Sequence, residues 1–260
     1  REHEIEQFIP KEFWSLNVNF KTSNGNLLNS ILVKLNENKI EKFSFVSKDD
    51  INKAIENIKK AKYKISDISS KVYSRNPSGP FTTSTLQQTA SSKLNFGASR
   101  TMQIAQRLYQ GIDIEGDTVG LITYMRTDGT NISKDAAVEF RKFIKETYGD
   151  NYLPSEPNNY SGKKAKNAQE AHEAIRPTDI SRTPELMRKF LSADQNKLYD
   201  LIWSRAVSSQ MEAAKFDRKT ITIDSGNNLN QFKCSGSTIK FDGFLKLTRI
   251  DDDEDEKIIP

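Results

Sequence analysis

Gly120-Leu121-Ile122-Thr123-Tyr124-Met125-Arg126-Thr127-Asp128 is the stretch on which the reading of this chain turns. Its apolar start, Val119 to Ile122, is β-branched and aliphatic and predicts a buried strand. Asp128-Gly129-Thr130-Asn131 then breaks the run, as a turn does. Side chains alternate along an extended segment, so Tyr124 and Arg126 are expected to leave the same face. A tyrosine hydroxyl is a poor nucleophile near neutrality because its unperturbed pKa is about 10. A neighbouring cation favours the phenolate, and a guanidinium can also clamp a phosphate through two parallel hydrogen bonds. By itself the pair also fits a half-buried strand tyrosine beside an exposed arginine.

Outward from this stretch, composition narrows the classes. At 260 residues the chain can bury a real core over one or two domains, and its apolar content is that of a globular protein. No apolar run approaches the ~20 residues of a membrane span, and Arg1-Glu2-His3-Glu4 does not read as a signal peptide. One cysteine, Cys234, excludes an internal disulfide and a thiolate-rich zinc site, and two histidines exclude a histidine-rich metal centre. A reducing, cytoplasmic setting is expected. The net charge is +4 with a pI near 8.9. Six consecutive acids, Asp251 to Glu256, hold much of the negative charge, so the remainder is distinctly basic, consistent with a phosphate-facing surface and equally with a lysine-rich protein that binds no nucleic acid. The acidic run itself reads as a solvated hairpin turn.

Periodicity divides the chain. Glu12 to Phe20 alternates with Trp14, Leu16, Val18 and Phe20 on one face, Asn24-Gly25-Asn26 signals a hairpin, and Ser30 to Leu35 returns. Ser47 is placed to cap a helix carrying Ile51, Ile55 and Ile58, and Tyr63 to Tyr73 reads as a further strand. Arg75-Asn76-Pro77-Ser78-Gly79-Pro80 is a stiff connector. Helical spacing follows: a Ser84-capped helix with Leu86, Ala90 and Leu94, then one from about Arg100 with Met102, Ala105 and Leu108, ended by Gly111. After the tyrosine strand comes a Ser133-capped helix with Ala136, Phe140, Phe143 and Ile144 inward. Residues 150–166 read as a long surface loop, and Ser192-Ala193-Asp194-Gln195 opens a helix with Leu198, Ile202, Trp203 and Val207. From Phe216 the period returns to two, through Ile221 and Ile223, Phe232 and Cys234, Ile239 and Phe241, and Leu245 and Leu247.

Two further stretches extend the argument. Pro80-Phe81-Thr82-Thr83-Ser84-Thr85-Leu86-Gln87-Gln88 lies upstream of the tyrosine and Ala171-His172-Glu173-Ala174-Ile175-Arg176-Pro177-Thr178 downstream. With Ile122 to Asp128 they resemble, in the same order, the active-site motifs of bacterial type IA DNA topoisomerases, and the resemblance runs from Arg1 to Pro260. One departure is Gly129, where the family usually has serine; it is expected to alter local rigidity. The implied fold is α+β: a discontinuous β-rich arch domain (1–79 and 208–260) with an inserted, mostly helical domain (80–207) bearing the tyrosine.

The resemblance implies cleavage and religation of single-stranded DNA through a 5′-phosphotyrosine, without ATP, relaxing negative supercoils. Tyr124 is the implied nucleophile, Arg126 the stabiliser of transition-state charge, and His172 the group that positions the scissile phosphate. Thr82, Ser84 and Thr85, where a helix begins, are candidate DNA contacts through hydroxyls and exposed N–H groups. Gln87, Gln88, Arg100, Arg107, Thr123 and Arg176 are candidates as well, with Lys93 on the same helical pair. His172 and Arg176 share a face if the segment takes a helical turn, although Pro177 biases Arg176 away from one; Glu173 reads as scaffold. Family members hold Mg²⁺ in a separate N-terminal domain, for which this chain shows no counterpart. The expectation is a fragment that binds no metal of its own, partners with that domain and with single-stranded DNA, and is inactive alone. Bacterial, nucleoid-associated localisation is implied. The alternatives are a non-catalytic DNA-binding module and a tyrosine recombinase or type IB enzyme. The latter expects His-x-x-Arg before its tyrosine, whereas His172 and Arg176 follow Tyr124.

Overall fold

The computed structural model describes residues 1–160, 172–226 and 229–248. The acidic run and residues 161–166 of the expected loop lie outside the described residues. In chain order the elements are α1 (Glu2–Glu6), β1 (Asn17–Lys21), β2 (Leu27–Leu35), β3 (Asn38–Lys39), α2 (Lys48–Lys59), β4 (Tyr63–Arg75), α3 (Thr83–Leu94) and α4 (Ala98–Gln110). There follow β5 (Ile112–Ile114), β6 (Asp117–Val119), α5 (Lys134–Tyr148), α6 (Pro184–Met187), α7 (Ala193–Ser209), β7 (Ala214–Ser225) and β8 (Gln231–Phe241). The fold is mixed, an antiparallel sheet with several helices, and it clusters into two compact units.

The first unit takes Arg1–Tyr73 and Phe216–Lys240. Its sheet runs β1-β2-β8-β7-β4, with β3 paired to β2. The β1–β2 hairpin turns at Gly25, whose φ of +87° is the left-handed conformation that glycine adopts without a Cβ penalty. Expected from Glu12, the first strand forms only from Asn17, although Leu16, Val18 and Phe20 do alternate inward. Ser47 caps α2 in a full capping box with Asp50. The Ile51, Ala54 and Ile58 face of that helix packs with Leu28, Leu32, Ile221, Ile223, Phe232 and Cys234. Burial of this kind contributes about 25 cal/mol per Å² of apolar surface removed from water.

The second unit takes Ser74–Lys215 and residues 241–248. Helices α3, α4 and α7 pack on one another through Leu86 and Ala90, Ile104, Ala105 and Leu108, and Leu198, Ile202 and Val207. Several expectations are corrected here. Thr82, not Ser84, caps α3, in a reciprocal box with Thr85. Among four consecutive hydroxyls, the one that wins is the one preceding the residue whose backbone pairs with the tyrosine segment, since Thr83 N–H donates to Thr127 O at 2.9 Å. Residues 242–248 form no strand: Gly243, at φ +50°, turns the chain into a 3-10 helix over Gly243–Lys246, with Phe244 rather than Leu245 or Leu247 buried. Ile239 is on the exposed side of β8.

The expected loop from residue 150 is not free at its described end. Asn158 Nδ2 donates to the carbonyls of Ser209 and Met211, and the Tyr160 hydroxyl donates to the carbonyls of Ser209 (2.8 Å) and Pro77 (3.1 Å). Its polar composition disguised side chains whose donors close off buried carbonyls.

Candidate active site

The tyrosine stretch is not a strand. β6 ends at Val119, and 120–130 runs as an irregular segment with bends at Thr123, Met125 and Arg126 and a bridge at Ile122. Ile122 bridges to Pro177, which has no N–H and so cannot extend a ladder. The alternation survives all the same: Met125 and Thr127 are buried, Tyr124 is half-buried, and Arg126 and Asp128 are exposed.

Two threonines fasten this segment from opposite sides. The Thr83 hydroxyl lies 2.8 Å from Met125 O and 3.0 Å from Thr127 O as donor, and accepts from Thr127 N–H at 2.9 Å. Thr123 donates its N–H to Arg176 O (2.9 Å) and its hydroxyl to Ala174 O (2.7 Å), and accepts from Arg176 N–H at 3.0 Å. Tyr124 and Arg126 thus sit between two clamps. Ile175 N–H donates to Phe81 O at 2.8 Å, which ties the upstream and downstream stretches to each other. The helical turn expected for 172–176 is therefore absent; the segment is extended, and residues four apart still share a face.

This stitching brings His172 to Tyr124, with ring centroids 5.0 Å apart, and Tyr109 meets the same tyrosine ring edge-on at 5.4 Å. His172 is exposed, so its imidazole is open to a ligand. Glu173 accepts from Arg176 Nε at 2.7 Å and from Ser133 N–H at 3.3 Å. Burial works against the Glu173 carboxylate, but hydrogen bonding and charge from Arg176, with the Ser133 amide, outweigh it and hold the carboxyl below its ordinary range. Nη1 of Arg176 donates to Pro177 O, so this guanidinium is engaged within the scaffold.

Arg126 lines a polar cleft of about 720 Å³ together with Gln87, Arg107 and the α4 residues Gln103, Gln106 and Gln110. Two guanidiniums and four carboxamides are suited to phosphate oxygens, sugars and base edges. Gln87 was an expected contact; the three α4 glutamines were not, yet their spacing of three and four residues, opposite Ile104 and Leu108, marks one helix face. Tyr109 carries no such signal. Of the remaining candidates, Arg100 is turned to Asp194 and lies over the Phe96 ring. Gln88 and Ser84 are exposed on α3, while Thr82 and Thr85 are partly spent on capping each other. Lys93 lines a different cleft, beside Phe81 and Lys197. Among the described residues no group of three His, Cys, Asp or Glu side chains is placed to hold a metal ion. No helix among them is long and apolar enough to cross a membrane.

Comparison with known proteins decides the family. A family model described as DNA topoisomerase matches residues 1–260. The chain belongs to the DNA topoisomerase family. DNA topoisomerase 1 of Rickettsia felis is 46% identical over 264 residues, covering 100% of this chain and 34% of that protein. DNA topoisomerase 1 of Campylobacter jejuni is 44% identical over 260 residues, 100% of this chain and 36% of that protein. Full-length topoisomerase I from Thermotoga maritima superposes with a TM-score of 0.76 at 35% identity, over 96% of this chain and 38% of that one. The chain therefore spans about a third of the length of the curated topoisomerases it matches.

Proposed function

We propose that this chain carries the nucleophile of a type IA DNA topoisomerase. The observation that supports it is the convergence of three separate stretches on Tyr124, with the His172 ring against it and Arg126 opening on a cleft shared with Arg107. In the proposed reaction the Tyr124 oxygen attacks a backbone phosphorus of single-stranded DNA. The tyrosine–phosphorus bond forms as the bond to the 3′ oxygen breaks, leaving a 5′-phosphotyrosine and a free 3′-hydroxyl. The reverse attack restores the strand after another has passed, which relaxes negative supercoils without ATP. Arg126 neutralises charge on the equatorial oxygens, where a preorganised cation is most effective, and His172 donates to a phosphate oxygen. Thr123 and Arg176 act by holding the segment; Gln87, Arg107 and the α4 glutamines contact the strand.

The β-rich unit is read as an arch and the helical unit as its inserted tyrosine-bearing domain. Mg²⁺ is assigned to a separate metal-binding domain, as the resemblance implies. The chain alone is accordingly expected to cleave poorly. An adduct assay on end-labelled single-stranded DNA with Mg²⁺ tests this, using the chain alone, then with a separately made metal-binding domain, then with Tyr124→Phe. An adduct in the mixture that vanishes in the mutant is the expected result. Retained DNA binding with no adduct, from folded and associated pieces, would reduce the chain to a binding module.

A further inference from the structure

β4 is the last strand in the order β1-β2-β8-β7-β4, so β7 pairs with one of its edges and no strand among the described residues pairs with the other. Such an edge presents a row of N–H and C=O groups ready to bond another strand. Every residue from Lys64 to Arg75 is exposed, and the 13-residue run contains neither proline nor glycine to interrupt pairing. The side towards β7 is already engaged. There the Ser66 hydroxyl donates to Thr222 O at 3.2 Å, the Ser70 hydroxyl donates to Asp217, and the Tyr73 ring stacks on Phe216. Ile65, Ile68 and Val72 are large apolar side chains left in water.

Charge within the strand says what could cover this edge. Asp67 and Lys71 are four residues apart, on the same face of an extended chain, but about 13 Å apart along it and so out of reach of each other. Neither is in an ion pair among the described residues. A second β4, laid antiparallel with the two-fold axis at Ser69, supplies both missing partners. Asp67 of each copy then lies opposite Lys71 of the other, and Ile65 of each lies opposite Tyr73 of the other. Opposite charges and aromatic–aliphatic pairs across strands are stabilising, and like charges directly opposite are destabilising. Centring the pair on Asp67 would oppose two carboxylates, and centring it on Lys71 would oppose two ammonium groups. The sequence of the strand thus favours one register with itself.

We propose that β4 is a self-association edge: two copies of this chain pair antiparallel through β4 about Ser69, which continues the sheet from one copy into the other. The charges that would ward off an unrelated strand are neutralised when the incoming strand is a second β4.

Sedimentation equilibrium of the whole chain, from about 1 μM to 1 mM, tests this. Asp67→Lys and Lys71→Asp each set like charges opposite one another in both cross-strand pairs. The double variant restores opposite charges with the order reversed. All the altered side chains are exposed, so circular dichroism and the melting temperature should stay at the wild-type values. The expected result is a reversible monomer–dimer equilibrium in the wild type. Each single variant should weaken it by about tenfold or more, and the double variant should return to within about threefold of wild type. A wild-type chain that stays monomeric throughout would overturn the proposal and leave the edge to an extended segment of another protein. So would single variants that dimerise as tightly as wild type, or a double variant no tighter than the singles. Because the readout is mass, the result stands whether or not Tyr124 forms an adduct.

Discussion

The carbonyl oxygen of His172 occupies the space that a side chain on Gly129 would need: a β-carbon built there lies 2.4 Å from it. Neither backbone can yield cheaply, because Gly129 N–H donates to Thr127 Oγ1 at 2.9 Å and Ala174 N–H is held by Asn131. Gly129→Ala is predicted to destabilise the chain by about 1–3 kcal/mol, as overpacking does, and to move the His172 ring off Tyr124. Chemical denaturation measures the first, and the shifts of the His172 ring protons in an NMR spectrum the second. Unchanged stability would show that the approach is looser than this geometry.

Thr83 offers a cleaner test of the clamp beside Arg126. Thr83→Val keeps the shape but leaves Thr127 N–H without its acceptor, at a cost of about 1–3 kcal/mol. Thr83→Ser keeps the hydroxyl and should retain most of the stability. In the adduct assay the valine variant is expected to be impaired more than its stability loss explains, and the serine variant is not.

Arg107 and Arg100 lie on the same helix but should differ on DNA. Arg107→Ala is expected to lower the slope of log affinity against log salt by about 0.7 for single strands, the value of one phosphate contact. Arg100 is already paired with Asp194, so its alanine variant should change the slope less. Equal slopes would remove the distinction between the two.

The Glu173 carboxyl titrates below its ordinary value of 4.5, so its contribution is present above that pH and lost as pH falls through the lower folded value. Glu173→Gln is predicted to cost roughly 1 kcal/mol near neutrality, modest because the carboxyl is partly exposed. The gap between wild type and variant should close as pH falls below 4.5 and through the lower folded value. A gap that persists in acid would place the stabilisation elsewhere.

At the alkaline end, burial pushes the Tyr160 hydroxyl up to about 12, with Arg205 opposing. The neutral phenol is favoured in the folded state. Its contribution is therefore intact below pH 10 and is lost as pH rises through about 12. Ultraviolet titration of wild type against Tyr160→Phe should show one late-ionising phenol missing in the variant.

What the sequence made legible was mostly local. Ser47, Ser133 and Ser192 were readable as caps because a capping box or N-cap is decided within one turn. The inward faces of α2, α5 and α7 followed from helical spacing alone. Errors arose where the deciding partner is remote. The tyrosine segment has the composition of a strand, but Pro177 denies it a continuous ladder. The 172–176 segment was readable as a helical turn until Phe81 claimed the Ile175 N–H. Thr83 was in view as part of a motif but not as a fastener, since its acceptors lie more than forty residues away.

The order β2-β8-β7-β4 has a consequence for how the protein is made. β2 and β4 leave the ribosome early, yet the two strands that separate them follow only after the whole helical unit. At about 5–20 residues per second, the early strands wait on the order of ten seconds or more with their pairing edges bare. During that interval they are targets for chaperones and for strands of neighbouring nascent chains. The helical unit, most of which lies in one continuous stretch up to Lys215 with residues 241–248 added last, can meanwhile begin to condense. Substitutions in β7 or β8 should therefore lower soluble yield more than equally destabilising ones in α4.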